Sequence, residues 1–473
     1  MNDTVRSETH AKTHLIVGDG TTAVAFLEKC TLGTGDKLII LGKNASELGR
    51  GAAYAKGNDG DTWRYAYLLN SPADDIDREF AQWLTDNWQR IRSTMEGRTP
   101  NWLAAAQPLV DAGNIFGLNA PREFYGDFMC EHTETVLAGL RGKGVQIDIL
   151  NDEATALDTT DAGIRVRTVA NGDLIVDSVD IAPGGPSTLR IPGDEGAFGV
   201  PNVFGYEAQI AEHILAGREI FCIGGNAAML DVLRLCQSLI PDAEIKMAFC
   251  APDGEVPAPL IPRLPRKLTE PTFSKGHETA ESFLNEVRRE IDLALERGDE
   301  MREIRAGFRG HFLENPLSSY ITDADEARSV PATLRFWLRG GTRDTILDLH
   351  DFIKGGQARI VTGLVKQVEH GTDSATVRVI DALGNVTSEE TGFVINTAGA
   401  GPNSKYDPLT EDMLDKGLIE ACPISKGIKV GDGLRSSLPA VRHLSPATTV
   451  IGEETMAMPL YDVHMLRHFV AKA

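Results

Sequence analysis

Short apolar runs alternate along the chain with stretches in which apolar residues recur every three or four positions, a pattern that predicts an α/β protein. The first run, Leu15-Ile16-Val17, reads as a buried parallel strand. It breaks at Gly18-Asp19-Gly20, and a helix-compatible run follows from Thr21. The spacing is G-x-G-x-x-A. Gly18 permits the tight turn, Gly20 lets the backbone approach a pyrophosphate, and Ala23 is small enough for the helix to lie close on the strand. The N-terminus of that helix presents free N–H groups and a positive dipole end to an anion. A second strand is predicted over Lys37 to Leu41. Its end reads Gly42-Lys43-Asn44, with no acid before Glu47 to hold a ribose; Asn44, Glu47 or backbone and water take that place.

From Gly144 the pattern shifts to short alternating strands, over Val145 to Leu150, Ala154 to Leu157, Ile164 to Thr168 and Leu174 to Val179, and these predict a small antiparallel segment. A second strand-turn-helix begins at Glu219, with its turn at Gly224-Gly225-Asn226. There a side chain, that of Asn226, stands where a backbone meets a pyrophosphate, so the site is weakened or lost. Val256 to Pro262 is a Pro-rich, extended connector. His277 to Arg305 predicts an amphipathic helix, with Phe283, Val287, Ile291 and Ala294 on one face, and a further helical segment runs near Thr333 to Phe352. Strands resume over Ala358 to Val368, Ala375 to Ile380 and Gly392 to Gly399, with one more over Thr448 to Glu454 before a helix over Asp462 to Val470.

Composition narrows the picture. Length (473 residues) allows two or three domains, and 42% apolar with 24% charged residues is ordinary for a globular protein. A net charge of −21 argues against nucleic acid or an anionic membrane as partner, since both need a basic face. The six cysteines are scattered without a C-x-x-C pair, and read as small core residues kept reduced in the cytoplasm. His464 and His468 lie one helical turn apart with no third ligand in view, so no metal site is expected. Residues 1–13 read as a disordered polar tail rather than a signal peptide, and no apolar run is long enough to span a membrane.

Five further stretches follow the glycine turn in order: Gly49-Arg50-Gly51-Ala52-Ala53-Tyr54, Leu68-Leu69-Asn70-Ser71-Pro72-Ala73, Phe80 with Trp83-Leu84, and Pro121-Arg122-Glu123-Phe124-Tyr125-Gly126, with Ala182-Pro183-Gly184-Gly185-Pro186 beyond them. With the opening motif they resemble the FAD/NAD(P)-binding (YdhS-like) family of flavoproteins, which is related in layout to flavin-dependent N-hydroxylating monooxygenases. The resemblance implies two Rossmann-like dinucleotide-binding domains, with the FAD domain discontinuous (14–215 and 390–473). An NAD(P)-binding-like domain would cover 216–255 and 351–389, and a helical insertion, the seat of substrate selectivity, 256–350.

It implies that Gly18, Gly20, Thr21, Thr22 and Ala23 form the FAD pyrophosphate turn, with Gly42 and Lys43 at the end of the next strand. Arg50 would lie along the cofactor, and Leu69 and Asn70 would approach the flavin ring. Ala154 would lend backbone to the adenine, and Gly184 would close over the FAD, with Pro183 where threonine is usual. Gly452 and Pro459 would sit at the flavin end. Gly224, Gly225 and Asn226 would form the NAD(P) turn. Arg122 reads as an ion-pairing or capping residue. After the next strand the family shows Ser-Arg; this chain has Ala251-Pro252-Asp253, which tilts the expectation from NADPH towards NADH or no nicotinamide.

The implied activity is an NAD(P)H-dependent monooxygenase that uses O₂ to hydroxylate a small amine or amino-acid-like substrate. Two alternatives stand beside it: an FAD-dependent oxidase or dehydrogenase drawing hydride directly from its substrate, and an FAD-binding protein without turnover. No catalytic acid or base is apparent in the sequence, as expected where the cofactor does the difficult chemistry.

Overall fold

A computed structural model describes residues 11–473, apart from 253, 257, 261–267, 339, 423–426 and 458–462. Two five-stranded parallel sheets organise it. In the first, the strand Thr13–Val17 lies between Lys37–Gly42 and Ser178–Ile181, with Gln146–Asn151 and Val441–His443 at the edges. Leu15 and Ile16 point to opposite faces and both are buried, as a central parallel strand requires. The helix Thr21–Glu28 covers one face, with seven of its eight residues buried.

The second sheet runs Ala358–Thr362, Met247–Ala251, Ile220–Ile223, Phe393–Asn396 and Gly199–Val200. Sheet membership therefore departs from the boundaries read in the sequence at 215/216 and 389/390. Gly199–Val200 and Phe393–Asn396 pair parallel to one another and belong to the second sheet. Phe393 to Asn396 is buried throughout, and the apolar residues Phe393, Val394 and Ile395 carry no mark of which sheet will cover them.

Other departures have local causes. Residues 11–13 are ordered: Thr13 starts the first strand and its N–H donates to Asp177, while residues 1–10 of the expected tail lie outside the described residues. Val145 to Leu150 is no part of the antiparallel segment; its strand pairs parallel to Lys37–Gly42 at a sheet edge, and edge exposure produces its polar alternation. The run Leu174 to Val179 divides at Asp177: Asp173–Val176 stays in the antiparallel sheet with Ala154–Thr160 and Gly163–Thr168, and Ser178–Ile181 enters the parallel one.

The helix expected over 277–305 is two, Ala280–Glu296 and Met301–Glu314. Gly298, with φ +84°, closes the first, and a reciprocal capping box between Glu300 and Glu303 opens the second. These helices and Ala324–Trp337 enclose their own core around Phe283, Phe308 and Phe312. The helix Arg343–Gly355 instead buries Ile346, Leu349 and Phe352 against the second sheet. Thr448–Ile451 joins a small separate sheet, while Val441–His443 is the C-terminal strand of the first sheet. No helix among the described residues is long and apolar enough to cross a membrane.

Candidate functional site

The turn after the first strand opens on a cleft of about 570 Å³. Gly18 has φ +124°, and a Cβ there would lie 2.2 Å from the Ala182 carbonyl oxygen, so the strand end and the turn at Ala182 meet too closely for a side chain. Gly20 caps the helix in extended conformation (φ −94°, ψ −175°) without a side-chain bond, so the first-turn amides of Thr21 and Thr22 are left facing the cleft. Gly51 lies against Gly20 backbone to backbone: a Cβ on Gly51 would sit 3.0 Å from the Gly20 Cα.

Asp19 ties this turn to its surroundings. Its carboxylate accepts from the Asn44 N–H at 2.7 Å, and its carbonyl accepts from Gly49 and Gly51. Asn44 is thus fixed by the turn while its side chain reaches Glu47. Lys43 stands at the end of the second strand, paired with Glu153 at 2.9 Å. At the far wall Asp152 accepts from the amides of Glu153 and Asn171. Burial favours its neutral form, but these hydrogen bonds outweigh burial and hold its carboxyl well below the usual range.

Arg50 joins the cleft to the body of the protein. Its guanidinium pairs with Asp127 and donates to the Glu123 carbonyl at 3.3 Å, while its Nε is buried with no partner among the described residues. Gly126 makes the room: a Cβ there would come within 2.5 Å of Arg50 Nη1 and 2.6 Å of the Tyr54 carbonyl. Tyr125 packs edge-on against both Tyr54 and Phe80, and Phe128 against Phe80 and Trp83. The sequence motifs around residues 50, 80 and 125 therefore meet as one aromatic cluster that positions the cleft wall.

Of the FAD residues expected from the sequence, Gly18, Gly20, Thr21, Thr22, Gly42, Lys43, Arg50, Ala154 and Gly184 are brought together around this cleft. Ala23 lies buried beneath it. Leu69 and Asn70 are outside its lining. The Leu69 amide and carbonyl are used by Ala120 and Asn119, because the Leu68-Leu69 segment bridges to the loop before the helix Arg122–Gly142. Gly452 is also outside: it forms the turn after Thr448–Ile451, where a Cβ would collide with Asp432. Pro459 lies outside the described residues. Sequence reading missed Asp19, Asp152 and Asp407 as lining residues. Asp407 caps the helix Pro408–Asp415, and burial raises its carboxyl pKa. Gly126 spacing after Arg122 was the one available signal for the Arg50 pocket.

The second turn repeats the first with one change. Gly224 (φ +112°) abuts the Thr397 carbonyl as Gly18 abuts that of Ala182. Asn226 has nearly the backbone of Gly20 (φ −122°, ψ −167°) and caps the helix Ala227–Leu239. Its Oδ1 accepts from the Ala228 N–H at 3.0 Å, and its Nδ2 donates to Thr397 O at 2.7 Å. The first-turn amide that is open in the first site is occupied here by the protein itself. Residues present therefore fit a pyrophosphate at Gly18–Thr22 and fit one poorly at Gly224–Asn226.

A second cavity, about 470 Å³, shares Ala52, Ala53 and Ala55 with the first as a common wall. It holds two buried ion pairs. Arg64 binds Glu123 through Nε at 2.9 Å, and Arg122 binds Asp231 at 2.9 Å, tying the first half of the chain to the helix that follows the second turn. Burial raises the Asp231 carboxyl to about 6 despite Arg122.

Residues 15–186 match the model of a protein family described as FAD-NAD(P)-binding, and this part of the chain is accordingly an FAD/NAD(P)-binding domain. Among solved structures, the FAD-bound cadaverine monooxygenase of desferrioxamine biosynthesis from Erwinia amylovora aligns over 98% of this chain and 95% of its own, at 13% identity and a TM-score of 0.52. An ornithine N-hydroxylase from Kutzneria sp. 744 aligns over 98% of each chain, at 14% identity and a TM-score of 0.51. The ornithine hydroxylase of Pseudomonas aeruginosa likewise aligns over 98% of each, at 14% and 0.50. No curated protein matches the chain. At these identities the likeness establishes the fold, that of a flavoprotein with two dinucleotide-binding domains.

Proposed function

We propose that this chain is an FAD-dependent oxidoreductase, an NAD(P)H-dependent monooxygenase that hydroxylates a small polar amine or amino-acid-like substrate. The observation that carries the reading is the uncapped turn at Gly20, whose amides face a 570 Å³ cleft with a second cavity across a wall of alanines. Bound FAD would supply two-electron redox chemistry and reaction with O₂. The chain's own part is positioning. The Thr21 and Thr22 amides and the helix dipole would take the pyrophosphate, and Arg50, which lines the cleft, would lie along the cofactor. The neighbouring cavity would hold the substrate in a partly dry space. Fold-level analogy with amine hydroxylases points the same way.

A specific observation favours a second reading. Asn226 fills the nicotinamide turn with its own hydrogen bonds, which suits an oxidase or dehydrogenase reduced directly by its substrate.

The test is the visible spectrum of the purified protein under anaerobic conditions. Bleaching of the flavin band by NADH or NADPH, followed by O₂ uptake stoichiometric with a hydroxylated amine, is the expected result. A flavin that no nicotinamide reduces but that bleaches with substrate alone overturns the monooxygenase in favour of the second reading. A flavin that neither reduces would leave a binding protein.

A further inference from the structure

The cavity beyond the alanine wall has a composition that identifies its ligand. Its two guanidinium groups are already neutralised, Arg64 by Glu123 and Arg122 by Asp231, and exposed Lys56 at its rim has no ion-pair partner among the described residues. Two of its carboxylates, Asp61 and Glu207, have no cationic partner among the described residues. Asp61 is engaged by Asn58 through its amide and its side chain. Glu207 receives the Gly205 N–H at 2.8 Å on one oxygen and only a long 3.5 Å contact from the Tyr67 hydroxyl on the other. That second oxygen retains acceptor capacity.

Aromatic rings line the same cavity, and Phe204 already carries the Arg122 guanidinium over its ring at 5.7 Å. Tyr67 meets Phe204 edge-on at 5.6 Å, and the half-buried Trp63 has neither a ring nor a cation stacked on it among the described residues. A carboxylate short of a cation, set among aromatic faces, is a combination that recognises an ammonium group, by charge at one point and by the ring quadrupole around it. The backbone is shaped to bring these groups together. Tyr65 is a non-glycine residue at φ +70°, its ring held between Phe124 and the Arg64 guanidinium. This left-handed turn lets residues 63, 64, 65 and 67 all line one cavity, whereas an extended strand would send neighbours to opposite faces. A strained conformation of this kind is retained where the surroundings over-determine it, and such places cluster at binding sites.

We propose that this cavity is the substrate site, that its ligand is a primary amine with an aromatic or apolar body, and that Glu207 and Tyr67 bind the ammonium while Trp63 and Phe204 hold the body. The inference extends the amine reading above and relocates substrate selection. The helical insertion was expected to carry it; this cavity is built from the segments 52–67, 122–123 and 204–207.

Three molecules of one shape and different charge test it: 2-phenylethylamine, 2-phenylethanol and phenylacetate, titrated into the FAD-loaded protein with neither reductant nor turnover, and followed by tryptophan fluorescence. The amine is expected to quench and to bind at least tenfold tighter than the alcohol, with phenylacetate weakest. Trp63→Phe should abolish most of the quench, which locates it. Glu207→Gln should bring the amine to the level of the alcohol while leaving the alcohol unchanged, and Tyr67→Phe should weaken the amine by a smaller factor.

Equal affinity for amine and alcohol, preference for phenylacetate, or a quench untouched in Trp63→Phe would overturn the proposal. Should Glu207→Gln fail to fold, Tyr67→Phe with the charge series decides alone. Because the assay needs no nicotinamide or O₂, amine binding that follows Glu207 in a protein whose flavin NAD(P)H does not bleach would sink the monooxygenase reading and keep this one. Efficient bleaching with no charge preference in binding would do the reverse.

Discussion

Asn226 Nδ2 donates to the Thr397 carbonyl at 2.7 Å while its Oδ1 caps the helix Ala227–Leu239 at the Ala228 amide. Gly20, at the matching position of the first turn and in nearly the same backbone conformation, has no side chain and leaves its helix uncapped. One residue thus separates an open anion site from a filled one, and the contrast bears directly on whether nicotinamide is used.

Asn226→Gly should open the second turn. Glycine at an N-cap costs a few tenths of a kcal/mol relative to asparagine, and losing the bond to the Thr397 carbonyl adds about 1 kcal/mol, so a modest loss of stability is expected. Freeing the Ala228 amide should raise affinity for NADH or NADPH by about tenfold, equivalent to ~1.4 kcal/mol. Titrating nicotinamide against the rate of flavin bleaching in both proteins checks this. Equal affinities would show that the cap does not limit nicotinamide binding.

Gly18→Ala should be far more damaging. Its Cβ would need space now taken by the Ala182 carbonyl at 2.2 Å, at a φ of +124° that an alanine rarely adopts. The first sheet joins at that point, since Gly18 donates to Leu41 and Ala182 to Val17. Loss of retained flavin on purification, with a thermal midpoint lowered by several degrees, is the expected outcome. An alanine variant that keeps its flavin and its midpoint would refute the assignment of this turn.

Much of this was legible in the sequence. The G-x-G-x-x-A spacing located the cleft because the turn, the close backbone approach and the helix packing each restrict the residue allowed. Arg122 is expected from the sequence as an ion-pairing or capping residue, and it pairs with Asp231. What escaped were contacts between distant segments. Nothing local marks Asp19 as the residue that fixes Asn44, or Phe393–Asn396 as a strand of the second sheet, because a buried apolar run looks alike in either. Leu69 is expected at the flavin by resemblance, and Asn70 also because a short amide suits a tight turn and the polar edge of a flavin; Leu69 is instead consumed by the loop before Arg122. The cavity around Tyr67 and Glu207 joins residues 140 positions apart and had no sequence signal.

His443 should set part of the acid stability. It is fully buried at the end of an edge strand of the first sheet, with Nε2 bonded to the Thr410 hydroxyl at 3.1 Å and Nδ1 without a partner among the described residues. Burial disfavours the imidazolium and lowers its pKa to about 4. In the unfolded chain it takes a proton near pH 6.5, so the unfolded state binds more protons between 6.5 and about 4. Its contribution is fully present above pH 6.5 and is lost as pH falls through that window, by up to about 3 kcal/mol at ~1.4 kcal/mol per unit. Urea unfolding at pH 7 and at pH 4.5 should show a smaller difference for His443→Gln than for the native chain. The same difference in both would remove this histidine from the account.

The link between Gly126 and Arg50 gives the sharpest structural test of the cleft wall. Gly126 lies within the helix Arg122–Gly142, where alanine is by propensity the better residue by roughly 1 kcal/mol. An isolated helix would therefore gain from Gly126→Ala. In the protein the new methyl would meet Arg50 Nη1 at 2.5 Å and the Tyr54 carbonyl at 2.6 Å. Both belong to the segment that walls the cleft, so overpacking of about 1–3 kcal/mol outweighs the propensity gain. The guanidinium, held by Asp127 and Glu123, is the more movable partner, and its displacement would shift the cleft wall that Arg50 and Tyr54 form. Gly126→Ala should thus keep its helical circular dichroism, lose stability and weaken FAD retention. In Arg50→Ala the colliding side chain is gone, and adding Gly126→Ala should cost less there than in the native background. A double-mutant cycle on FAD affinity and unfolding midpoint measures this coupling, and strict additivity would show that the two residues do not act through one another.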